Sequence, residues 1–186
     1  REEAKAKETT KREKTTQRIK DIEDKKKKDA AQRIADQFDN LNKTWTDKFM
    51  DQFTRYDSIV QKMQARATIA AAAGKDVTAA NTAIAAAVTA IATAKADVIA
   101  QAAKTYVLDT STLPTATSTP AGQTKLVQEL RKKFQTMHTS LFKDLFALRD
   151  GPMKDVRKAV ENALKALGKV PDVDRENATS TAKSNH

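Results

Sequence analysis

The sequence predicts an all-α protein: an elongated antiparallel three-helix bundle or coiled coil with a projecting N-terminal helical stalk. Three observations carry this reading. Charged residues make up 31% of the chain and aromatics only 5%, too little apolar bulk for a layered core. Four glycines and four prolines in 186 residues leave few turns, so the elements between them must be long. Apolar residues recur in steps of three and four, the period of a helix face.

Residues 1–33 carry 13 basic and 8 acidic side chains, and their only large apolar groups are Ile19 and Ile22. Acid-before-base pairs at helical spacing recur, as in Glu8–Arg12, Asp21–Lys25, Asp24–Lys28 and Asp29–Arg33. Each such pair stabilises a helix by about 0.2–0.5 kcal/mol. The segment is therefore expected to be a solvated stalk, unpaired or paired with a second copy through Ile19 and Ile22.

From Ile34 the stripe is Phe38, Leu41, Trp45, Phe49, Phe53, Tyr56, Val60, Met63, Ala67 and Ala70. The successive steps of four from Leu41 to Phe53 predict a stutter in the heptad. The bundle is assigned to residues 34–168, with its first helix over 34–73. Gly74 suits the left-handed residue after a helix, and Asp76 suits the cap of the next. So short a loop makes the two helices an antiparallel hairpin.

The second helix is expected over residues 77–106. Its large apolar residues are Val77, Ile84, Val88, Ile91, Val98 and Ile99, with alanine elsewhere. Residues 107–122, rich in Ser and Thr with Pro114 and Pro120, read as a connector. The third helix, residues 123–167, has the stripe Leu126/Val127, Leu130, Phe134, Met137, Leu141, Leu145 and Leu148, resuming at Val156, Val160, Ala163 and Leu167. Pro152 is expected to kink or split it, with Asp150 able to cap a new segment. Residues 169–186 read as a polar, disordered tail.

No enzyme site, cofactor site or metal site is expected. Cysteine is absent, which excludes thiolate ligands and cysteine nucleophiles. Of the two histidines, His138 stands alone in the third helix and His186 ends the chain. The serines lack a nucleophile-elbow context, the acids are mostly matched with lysines, and the glycines stand singly. No small-molecule substrate is expected, and no apolar run approaches the roughly 20 residues of a transmembrane segment.

Three binding signals remain. The first is basic charge, with a net value of +10. It concentrates at Lys25, Lys26, Lys27 and Lys28, at Arg131, Lys132 and Lys133, and at Lys154, Arg157 and Lys158. Nucleic acid, anionic lipid or an acidic wall polymer would gain from counterion release on these groups. No aromatic interleaves with them, as base stacking wants. The second is the amphipathic third helix, whose apolar face reads as core and not as a membrane-surface face. The third is the Thr/Ala face of the second helix. Thr78 and Thr89, and Thr82 and Thr93, lie 11 residues apart, resembling alanine-rich helical ice-binding proteins. The next positions in that register are Ala100 and Lys104, so the repeat ends there.

The stretch from Ala73 through Asp76, Asn81 and Ala87 to Tyr106, with Arg33, Leu41, Asp47 and Phe49 upstream, resembles a group of uncharacterised proteins. These are predicted-exported, Lys/Ala-rich helical proteins of ultra-small candidate-phylum bacteria. The resemblance implies a coiled-coil-like structure outside the cytoplasm, at the cell surface, in the periplasm or secreted, and it implies no activity. A start at Arg1 fits a processed or truncated chain. The expectation is a non-enzymatic helical spacer or surface-associated scaffold. The alternative is a binder of anionic polymers through the basic groups, and more remotely an ice binder.

Overall fold

The computed structural model describes residues 2–114, 119–171 and 173; the side chains of residues 2–4 and of Asp39 are not described. Among these residues the chain is all-α. It forms α1 (Glu2–Lys20), α2 (Lys25–Ala72), α3 (Thr78–Ala102), α4 (Pro120–Asp150) and α5 (Pro152–Leu167). The helices divide into two compact units. One comprises residues 1–46 and 100–146, the other residues 47–99 and 147–186. The expected disordered tail falls largely outside the described residues, although Val170 is buried.

The first unit corrects the stalk. Residues 1–33 are not one helix. The chain turns at Asp21–Asp24, and α1 returns antiparallel along the start of α2. Asp24 causes the turn: its carboxylate accepts the Lys27 amide at 3.1 Å, capping α2. The same bond holds the Asp24 carboxyl below its usual range. The Asp24 side chain thus caps a helix, whereas spacing had matched it with Lys28. Ile19 and Ile22, the residues expected to pair two copies, are buried inside the unit at 1% and 2% exposure. Thr15 is buried with them, one α1 turn before Ile19.

α4 starts beside that turn and runs parallel to the start of α2. Gln123 fixes its origin: its side-chain amide donates to Asp21 O at 3.2 Å and accepts from the Glu23 amide at 3.2 Å. Further along, the rings of Phe38 and Phe134 stack with centroids 6.2 Å apart. α4 begins three residues earlier than expected. Thr119 Oγ1 accepts the Gly122 amide at 3.2 Å, and Pro120 occupies the first turn, where its missing amide hydrogen costs nothing. Its buried stripe is as expected, with Met137 half-buried among Leu126, Leu130, Phe134, Leu141, Leu145 and Leu148.

The second unit is a three-helix arrangement of the distal part of α2, α3 and α5. The α2–α3 hairpin is as expected. Gly74 has φ +75°, the Lys75 amide bonds Ala70 O at 3.0 Å, and the Gly74 amide bonds Ala71 O at 2.9 Å. These two bonds are the signature of a Schellman motif. Asp76 accepts the Thr78 amide at 2.9 Å.

The core of α3 departs from expectation. Val88 and Ile99 are exposed, at 43% and 60%. The buried seam is Val77, Ala80, Ile84, Ala87, Ile91, Ala94 and Val98, an unbroken alternation of three- and four-residue steps. Alanine therefore fills every second seam position, which lets neighbouring helices approach closely. By length and composition alone α3, with 25 residues, is sufficient to cross a membrane, contrary to the expectation that no apolar run approaches that length. α5 buries Met153, Val156, Val160, Ala163 and Leu167 on the same heptad pattern. The start of α3 (Asp76, Ala79) and the end of α5 (Asn162, Ala166) line one cleft, so these two helices are antiparallel.

Pro152 splits the third predicted helix outright. Gly151 takes φ −102° and ψ −100° between α4 and α5. Asp150 does not cap α5; both of its oxygens are held by Arg149, at 2.8 and 2.9 Å. The seam of α2 is also shifted. Ile34 is 38% exposed, and Asn42 and Thr46 are buried in place of Leu41 and Trp45. Consecutive steps of four are confined to Phe38–Asn42–Thr46, so the stutter is shorter than the apolar stripe alone suggested.

Candidate functional site

Two polar or charged features occupy the first unit. The first is a closed hydrogen-bond cluster. Asn42 Nδ2 donates to the backbone oxygens of Gln101 (3.0 Å) and Lys104 (3.2 Å). Gln101 Nε2 donates to Asn42 Oδ1 (3.0 Å) and to the Tyr106 hydroxyl (2.6 Å). The Tyr106 hydroxyl donates to Asp144 Oδ2 (2.7 Å), which also takes Lys104 Nζ (2.9 Å). The cluster satisfies carbonyls left open where α3 ends, and so it explains why the helix stops at Ala102 and not near Tyr106.

Burial, and then the bond to Asp144, push the Tyr106 hydroxyl up to about 12. The bonds from Lys104 and Tyr106 hold the Asp144 carboxyl below its usual range. A phenol with so high a pKa stays protonated at neutral pH. The cluster is an anchor for the connector, whose Leu108 and Leu113 are buried beyond it.

The second feature is a groove of about 770 Å³ between the start of α2 and α4. Its floor is Ile22, Ala31, Phe38, Leu130 and Phe134, each at most 9% exposed. Its lip carries Ile34, Lys27 and Arg131, with His138 at the far end. His138 packs against Phe142 with centroids 4.4 Å apart and meets Phe38 edge-on at 6.3 Å. Among the described residues, no acidic side chain lines the groove.

The groove brings together two of the three predicted basic clusters. Lys25, Lys26 and Lys27 are exposed on the first turn of α2, and Lys27 faces the groove. Lys28 turns away and donates to Lys20 O at 2.8 Å. Arg131 faces the groove from α4, Lys132 pairs with Glu129 at 2.8 Å, and Lys133 is half-buried. Lys154, Arg157 and Lys158 are exposed on α5 in the second unit. The predicted Thr78, Thr82, Thr89 and Thr93 are all exposed on α3, with the Thr82 and Thr89 hydroxyls turned back onto Thr78 O and Ala85 O. His186 lies outside the described residues.

Spacing alone flagged the two groups of cations but not their meeting, which depends on α4 running parallel to α2. It also missed Asn42 and Gln101, polar residues at seam positions where only apolar ones were sought. No family model, curated protein or solved structure matches the chain.

Proposed function

We propose that the protein is a non-enzymatic helical scaffold, working outside the cytoplasm as a spacer or surface-associated interaction protein. The observation that carries this reading is how the chain spends its polar groups. Asn42, Gln101, Tyr106, Asp144 and Gln123 are all committed to holding helices and turns together. The heptad seams of α3 and α5 hold small and medium apolar residues, which suit close helix packing.

A second reading, binding of an anionic polymer, is favoured by the meeting of Lys27 and Arg131 on one groove. The two readings separate in one titration. Binding to duplex DNA and to phosphatidylglycerol vesicles is measured between low and physiological salt. The scaffold reading expects weak association that disappears at physiological salt. Useful affinity at that salt, with a steep salt slope, would establish the second reading in its place.

A further inference from the structure

The groove of the first unit has a shape and a charge that a scaffold does not require. Its floor side chains are almost closed to water, so the groove of about 770 Å³ is an open track above a packed floor, with Ile34 exposed at its lip.

The lining residues run from Lys27 to Phe38 on α2 and from Val127 to Thr139 on α4. At the helical rise this is a track on the order of 17 Å, the length of an extended acyl chain. Two cations from two different helices stand at its lip, and no carboxylate opposes them inside. Lys27 does meet Asp24, at 3.6 Å, but both side chains are at least half exposed, a weak attachment in water. Arg131 makes no ion pair among the described residues, and its planar guanidinium suits a carboxylate.

We propose that this groove binds a free single-chain anionic amphiphile, in chemical class a long-chain carboxylate. The chain lies along Ile34 and Val127, above the packed floor, and the head pairs with Arg131 and Lys27. An apolar track with a few convergent polar groups is the usual form of a small-molecule site. The inference goes beyond the scaffold reading, which stands or falls separately.

The test is fluorescence titration of the full chain with dansyl-undecanoic acid, followed by displacement with dodecanoate and with dodecanol. Saturable binding is expected, with dodecanoate displacing the probe about tenfold more effectively than dodecanol. Arg131→Glu is expected to weaken binding by about tenfold or more, and Ile34→Asp to weaken it likewise. Both residues are exposed, so both variants should keep the parent circular dichroism. Lys158→Glu, in the other unit, should bind as the parent does.

Absence of saturable binding below about 1 mM would overturn the proposal. So would equal displacement by dodecanol, or indifference to both groove variants. Two further results would also overturn it, by assigning the groove to another occupant. One is displacement by an acidic amphipathic peptide that dodecanoate cannot match. The other is groove-dependent capture on phosphatidylglycerol vesicles without displacement by free dodecanoate.

Discussion

Asn42 and Gln101 bond each other twice: Asn42 Nδ2 donates to the backbone oxygen of Gln101, and Gln101 Nε2 donates to Asn42 Oδ1, with both residues almost fully buried at 5% and 3% exposure. Asn42 sits at a seam position of α2 where a coiled coil would normally place leucine. Its amide instead satisfies the carbonyls at the end of α3. Asn42→Leu therefore gains apolar area but strands one N–H of the Gln101 amide and the Gln101 and Lys104 carbonyls. The expected outcome is a loss of about 1–3 kcal/mol in chemical unfolding, and the same direction for Asn42→Ala. A more stable Asn42→Leu protein would show that the pair is dispensable.

The two glycines at helix junctions act differently. Gly74 has φ +75° and open space where a Cβ would stand. Gly74→Ala therefore costs backbone strain alone, about 1–2 kcal/mol. Gly151 has a negative φ, but an added Cβ would meet Ala147 O at 3.0 Å. Gly151→Ala should also destabilise, by crowding, and Gly151→Ser no less. Replacing Gly74 with Asn, which tolerates the left-handed region, should recover part of the loss, whereas Gly151→Asn should recover none. Thermal unfolding of the five variants checks the contrast.

Tyr106 makes stability fall in strong alkali. Its hydroxyl is raised from 10 to about 12 in the folded state, first by burial and then by the bond to Asp144. The folded state keeps the proton that the unfolded state loses above pH 10. The contribution is therefore complete below pH 10 and lost as pH rises through 12. Asp144 has the opposite sign. Its carboxyl is depressed, so its contribution is present above the usual carboxylate range and lost as pH falls below it. Tyrosinate absorbance should show a transition near pH 12 that Tyr106→Phe removes. A transition unchanged in the variant would refute the assignment.

The α2–α3 turn was legible because its residue types admit few conformations: a glycine where φ is positive, then an aspartate at a cap. The split at Pro152 was legible for the same reason, since proline lacks an amide hydrogen. The turn at Asp21–Asp24 was not, because it contains neither glycine nor proline, and its aspartates serve equally well as i,i+4 partners or as a cap. The α3 seam was half legible. The large residues at seven-residue spacing were correct, but Ala80, Ala87 and Ala94 are indistinguishable by composition from the exposed alanines beside them. The groove was legible only as two separate basic clusters, because its existence depends on helix direction, and Gln123 sets that direction through contacts about 100 residues apart in sequence.

The docking of α1 yields the sharpest difference from a stalk. Residues 5–33 are dense in lysine and arginine, so trypsin reports directly on how often this segment opens. A solvated stalk would be cut quickly, and a change at Ile19 would not alter the rate. In the structure Ile19 is 1% exposed, and Thr15 beside it reaches toward Leu108 O. A carboxylate at that position would have to be desolvated or would force α1 away from α2. Ile19→Asp is therefore expected to speed cleavage between residues 5 and 28 by about tenfold or more, since every 1.4 kcal/mol of lost docking energy raises the open population tenfold. Cleavage within α3 and α5 should keep its parent rate. The same variant separates burial from self-association. Light scattering should find the parent monomeric, with Ile19 already covered by its own chain. A parent dimer that Ile19→Asp converts to a monomer with unchanged trypsin sensitivity would restore the paired stalk and overturn the folded-back helix.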